Sequence, residues 1–270
     1  AKEGIRTTDS TVATALRTFV VLAGAWGMVL IVGSQAELAH LDARSAELLV
    51  LSGLATGASW LCYFKALQLG NVSKVVPIDK LSTVLTVLLA LIFLGERVSL
   101  IGALGVVLIT AGTLLMLDAD DLRGLPRAVR DGGGWLLYAL GSAFFAALTA
   151  ILGKAGITGV ESNLGTAIRT GVVLVMAWVM VAVTGKLREV RTVPRGELGF
   201  VLASGAATCA SWLCYYRALQ DGPASVVVPI DKLSVLVTVL FSTLVLREVV
   251  GRRHLVGLTL LVSGTLAMLM

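Results

Sequence analysis

Six ionisable residues stand inside apolar sequence in two matching sets, Arg17, Asp79 and Lys80, then Arg169, Asp231 and Lys232. Each later residue follows its counterpart by 152 positions, and both acid–base pairs sit in the same words, VVPIDKLS, at 75–82 and 227–234. An ionisable side chain at the centre of a membrane span costs upward of about 2.5 kcal/mol, so each such residue needs a reason to be there. An acid and a base partly withdrawn from water attract more strongly than in bulk solvent. That chemistry suits holding a charged solute, or closing a polar path with an ion pair. The bland alternative is anchoring, since charges near helix ends often only hold a span at the interface, and Lys80 and Lys232 can snorkel there. Lys65 and Arg217 fit that alternative best. Glu96 and Glu248 read as boundary markers at helix carboxyl ends. Pro77 suits a first helical turn, and Asp79 just after it suits the positive end of the helix dipole.

Other chemistry is missing. No intramembrane Ser-His pair, His-rich metal motif or phosphate-binding glycine loop is present, so an enzyme is not expected, and neither a metal nor a cofactor is implied. His40 and His254 are far apart. Cys62 and Cys214 occupy matching positions, and the three cysteines have neither disulfide nor zinc spacing, which leaves packing as their role. Trp60, Tyr63, Trp212 and Tyr215 fall one turn before the ends of their spans, where lining a cavity and belting the interface fit equally. Gly53 and Gly57 are spaced for close helix contact.

The elements that must position these residues are transmembrane helices. The 270-residue chain is 57% hydrophobic and 14% charged, where a soluble domain carries roughly 25% charge. Apolar stretches of about 20 residues recur throughout, each long enough to cross a bilayer as a helix. Strand alternation is absent, which argues against a β-barrel and leaves a helix bundle. The net charge of +5 comes from basic residues in short loops without an aromatic-studded surface, so it sets topology and does not mark a nucleic-acid partner.

The repeat runs the whole length. Residues 52–96 and 204–248 share 28 identities in 45 positions without a gap, which chance cannot supply. The same offset pairs Gly4 with Gly156, Gly105 with Gly257 and Gly112 with Gly264. Spans are expected at 11–33, 46–67, 75–95 and 99–117 in the first copy. The second copy has them at 135–153, 163–185, 198–219, 226–246 and 255–270. Residues 1–117 are thus expected to form one repeat lacking its leading helix, by truncation or genuine loss, with 118–134 a polar, glycine-rich linker and 135–270 the second repeat. Five spans is an odd number, so tandem copies of the unit lie in opposite orientations. Loops with Arg123, Arg127 and Arg130, with Lys186, Arg188, Arg191 and Arg195, and with Arg247, Arg252 and Arg253 fall on one side. That side is expected to be cytoplasmic and the carboxyl terminus outside.

The second half, with FFAALTAILGKAGI, Arg169-Thr170, SWLCYYRALQ, VVPIDKLS, Glu248 and GLTLLVSGTLAML, resembles the EamA domain of the drug/metabolite transporter superfamily. The first half resembles the same domain without its first helix. The resemblance implies an all-helical fold of ten helices in two inverted five-helix repeats, here with nine spans, around a central substrate cavity worked by alternating access. It does not name a substrate, since members carry amino acids, nucleotide sugars, choline, drugs and other metabolites. The expected function is secondary transport of a small polar or amphipathic metabolite across the plasma (inner) membrane, by a monomer or homodimer whose partners are lipid and substrate. A passive channel or lipid scramblase on the same repeat and a noncatalytic assembly partner are the alternatives. The two charged clusters are expected to act as paired gate elements, Arg17 with Asp79 and Arg169 with Asp231.

Overall fold

The computed structural model describes residues 8–69, 75, 78–79, 81–116, 134–244 and 251–269. Lys80, Glu248, Arg123, Arg127, Arg130, Arg247 and linker positions 118–133 lie outside them. Among the described residues all regular structure is helical: α1 Ser10–Val32, α2 Ala43–Leu69, α3 Ser82–Phe93, α4 Leu100–Leu115, α5 Gly134–Gly156, α6 Ser162–Val183, α7 Arg195–Asp221, α8 Ala224–Asp231, α9 Ser234–Leu244 and α10 Arg252–Ala267. Short 3-10 helices follow α1 (Ser34–His40) and α6 (Lys186–Thr192). Helices α1, α2, α5, α6 and α7 and the run Ala224–Phe241 are long and apolar enough to cross a membrane, whereas α3 and α4 are apolar but shorter. Large apolar side chains such as Ile31, Ile92, Leu100 and Val183 are exposed, a surface suited to hydrocarbon and poorly suited to water.

The chain forms two compact units, one from Ala1–Gly57 and Leu152–Asp221, the other from Ala58–Ile151 and Gly222–Met270. Each unit draws on both sequence repeats, and the divisions fall inside α2 and α5.

In the first unit α1 and α6 pack antiparallel, and their ends are tied by reciprocal contacts. Asp9 caps α1 by accepting from the Thr11 amide at 2.8 Å and pairs with Lys186 at 2.5 Å, just beyond the end of α6. Glu161, its repeat mate, caps α6 through the Leu164 amide at 3.0 Å and accepts from Ser34 Oγ at 3.0 Å, just beyond the end of α1. Lys186 is the repeat mate of Ser34, so the arrangement reads the same from either helix. Both helices stop at a left-handed glycine, Gly33 at φ 79° and Gly185 at φ 73°, a conformation that side-chain-bearing residues seldom adopt. Where α1 ends and α6 begins, Ala25, Val29, Val160, Leu164 and Ala167 make an apolar core.

In the second unit α4 and α10 cross on glycines. A Cβ on Gly105 would sit 2.6 Å from the Gly264 carbonyl oxygen, and one on Gly264 2.6 Å from that of Gly105. Gly112 and Gly257 meet in the same way, at 2.5 and 2.7 Å. The earlier glycine of one helix meets the later glycine of the other, so this pair is antiparallel and again reciprocal. Small residues allow such backbone approach, which is how helices associate where lipid offers no hydrophobic drive.

The uninterrupted span expected at 226–246 is two helices. Pro229 brings no N–H and leaves a gap in the ladder. The amides of Lys232, Leu233, Val235 and Leu236 then bond three residues back, at 3.1, 2.9, 3.1 and 2.8 Å, the tighter 3-10 pattern. Asp231 therefore closes the short helix α8, seven residues past its start, instead of sitting in the first turn.

Candidate functional site

Arg169 is the most enclosed charge among the described residues. It sits on α6, about 10 Å from the helix start at 1.5 Å per residue, and is 3% exposed. Ser52 and Thr56, one turn apart on α2, meet it through Nε to Ser52 Oγ at 3.1 Å and Nη2 to Thr56 Oγ1 at 2.7 Å. From α7 the rings of Trp212 and Tyr216, also one turn apart, stand 5.0 and 4.8 Å from Cζ, within reach of a cation–π attraction. Two glycines let these helices close on the arginine. A Cβ on Gly53 would fall 2.6 Å from Val172 Cβ and 3.0 Å from the Arg169 carbonyl, and one on Gly153 2.8 Å from the Tyr216 ring. Nη1 of Arg169 and Oγ1 of Thr170 are buried without a hydrogen-bond partner among the described residues.

Arg17, the repeat mate of Arg169, is half-buried on α1. Its carbonyl lies 3.1 Å from where a Cβ of Gly205 would stand, the contact that Arg169 makes with Gly53 in the other copy.

In the second unit Asp79 accepts from Ser142 Oγ at 2.8 Å, and Ser59 Oγ in turn donates to the Ser142 carbonyl at 3.0 Å. This aspartate is therefore held in a short hydroxyl chain between segments. Asp231 and Lys232 pair with each other at 3.6 Å with both side chains about a third exposed (39% and 34%), so this pair adds little by itself. Tyr63 packs against the core of Ala66, Val75, Ile78, Leu136 and Ala139. Trp60 is half-buried, and Tyr215 stands edge-on to Tyr216 with centroids 5.3 Å apart. Lys80 lies outside the described residues.

Glu96 does more than mark a boundary. Its two carboxylate oxygens accept from the amides of Ala224 and Ser225 at 2.7 and 2.8 Å. An acid from the first repeat thus caps α8, the helix that carries PID in the second, where the dipole favours a negative charge. The expected role at a carboxyl end considered only its own helix. Lys154 likewise reaches across the sequence, donating to the carbonyl of Leu219 and, at 3.4 Å, to that of Gln220 at the end of α7.

Ser52, Thr56, Tyr216, Ser59 and Ser142 are the partners that sequence reasoning missed. One signal was available: Ser-Gly-x-Ala-Thr recurs at 52–56 and 204–208, placing a serine and a threonine on one helical face in each copy.

Helical structure throughout the described residues, with several apolar helices of membrane length and helix pairs packed reciprocally, defines a multi-pass membrane protein. The EamA-like transporter family model matches residues 1–118 and 133–270, and the chain belongs to that family, within the drug/metabolite transporter superfamily. It is 40% identical over 132 residues to the "Uncharacterized transporter in cobO 3'region" of Sinorhizobium sp., a match covering 49% of this chain and 94% of that relative. A solved protein, described only as a crystal structure of a protein, shares the fold with a TM-score of 0.78 at 15% identity, over 100% of this chain and 92% of its own.

Proposed function

We propose that this protein is a secondary transporter that moves a small polar or amphipathic metabolite across the plasma membrane by alternating access. The carrying observation is reciprocity at the 152-residue offset. Asp9–Lys186 with Glu161–Ser34, and Gly105–Gly264 with Gly112–Gly257, are each a pair of contacts exchanged by the repeat, and both helix pairs run antiparallel. Such contacts are what a twofold axis in the membrane plane produces, and inverted repeats of this kind give a carrier two related states. That most of a shorter transporter matches about half of this chain supports a repeat as the unit of duplication, with 1–117 and 135–270 joined by 118–134 and nine spans in the chain. The loops bearing Arg188, Arg191, Arg195, Arg252 and Arg253 face the cytoplasm in this reading, with the carboxyl terminus outside. Arg17, Asp79, Lys80, Arg169, Asp231 and Lys232 contact substrate or close the gates, with Trp60, Tyr63, Trp212 and Tyr215 along the cavity. Counterflow tests the reading. Proteoliposomes preloaded with a metabolite pool should accumulate a labelled member of that pool above its equilibrium level. Equilibration without overshoot identifies a channel, and no uptake from any pool removes the transport reading.

A further inference from the structure

Arg169 has one guanidinium nitrogen without an acceptor among the described residues. Nε and Nη2 are taken by Ser52 and Thr56, while Nη1 is buried and unpartnered among the described residues. The groups around it are hydroxyls and aromatic faces, which hold a cation without neutralising it. Among the described residues no carboxylate pairs with this arginine, and a buried charge without a counter-charge is unfavourable.

The wall residues differ in one respect. Ser52, Thr56 and Tyr216 are 0%, 7% and 2% exposed, whereas Trp212 is half-buried. Trp212 is thus the wall residue that reaches the surface of the unit, 5.0 Å from the guanidinium carbon.

We propose that Arg169 Nη1 anchors the carboxylate of a singly charged organic anion, with Trp212 as a movable door and Tyr216 as the fixed back wall. This rests on the carrier reading and names its substrate class. A planar carboxylate matches a planar donor nitrogen, and its single charge matches the one that the cage leaves uncompensated. A doubly charged phosphate ordinarily recruits several donors and cations, whereas among the described residues Nη1 is the guanidinium nitrogen without any partner. The flat rings beside the guanidinium suit an apolar body carrying the carboxylate. The repeat supplies these residue types again, Arg17 with Ser204 and Thr208 at the same offset, and there the arginine is half-buried instead of sealed.

The test uses the purified full chain and three probes of one shape: benzoate, benzamide and anilinium. Benzoate is expected to raise the apparent melting temperature in a saturable way and to quench tryptophan fluorescence, while benzamide and anilinium at equal concentration do neither. Arg169→Gln should weaken the benzoate response at least tenfold. Wild-type protein provides a readout that needs no variant to fold: benzoate, and not benzamide, should slow modification of Arg169 by phenylglyoxal, followed by peptide mass spectrometry. Equal responses to benzoate and benzamide, an unchanged response in Arg169→Gln, or no protection of Arg169 overturns the site. Counterflow on the same preparation separates the two readings. Overshoot with neutral or cationic solutes alone sinks the anion site and leaves the carrier, whereas benzoate binding at Arg169 without any counterflow does the reverse.

Discussion

Glu96 binds both amides at the head of α8, so its carboxylate should matter to stability although it lies at the far end of another helix. Glu96→Ala is expected to cost about 1–2 kcal/mol, the usual worth of a lost cap. Glu96→Gln should cost less, because its amide oxygen still accepts one N–H. Thermal unfolding in detergent checks both. At Asp9, burial by itself raises the carboxyl pKa, but the Lys186 ammonium and the Thr11 amide and hydroxyl outweigh it and hold the group below its ordinary 3.8. A depressed native value gives stability that is complete above the unfolded value and is lost as pH falls through the lower native one. Between about pH 5 and 3 the wild type should therefore lose more melting temperature than Asp9→Asn. Equal losses would show that the Asp9–Lys186 tie contributes nothing. At this scale the charges were legible in the sequence because apolar surroundings make each one conspicuous. Their partners were less so, because Ser52, Thr56 and Ser142 are ordinary residues in a helix and, beyond the recurrence of Ser-Gly-x-Ala-Thr, only three-dimensional pairing sets them apart.

Among the elements, the glycine crossing of α4 and α10 separates packing from propensity. Gly105→Ala or Gly264→Ala places a methyl group against a backbone carbonyl, and overpacking of that kind costs about 1–3 kcal/mol. Gly27, inside α1 with nothing within 4 Å of its would-be Cβ, is the control. There alanine should be neutral or stabilise by up to about 1 kcal/mol, the difference in helix propensity. If all three substitutions behave alike, the close crossing is not a determinant of stability. Helix limits followed from hydropathy to within a few residues, as α1 at Ser10–Val32 against 11–33 shows. The break between α8 and α9 did not follow, because a proline near the start of an apolar run reads as a first-turn residue. Glu96 moves that start back to Ala224 and leaves Pro229 in the helix interior.

For the whole molecule, the period of 152 carried furthest, since contacts made in one copy recur with roles exchanged in the other. In the proposed orientation the basic loops face the cytoplasm, so single cysteines replacing Arg191 or Arg252, with Cys62, Cys209 and Cys214 changed to serine, should resist an impermeant thiol reagent in intact cells. Ready labelling at both would reverse the orientation. In the proposed carrier the repeats form two states opening to opposite faces, with Asp79 and Asp231 at positions matched by the 152-residue offset. The direct measurement places reporter cysteines at Trp60 and Trp212 in the cysteine-free background and compares labelling from each face in Asp79→Asn and Asp231→Asn. Removing one acid should bias the equilibrium toward opening on its own side, so the two variants are expected to shift accessibility in opposite directions. A shift toward the same face in both, or none in either, would contradict alternating access gated by these residues.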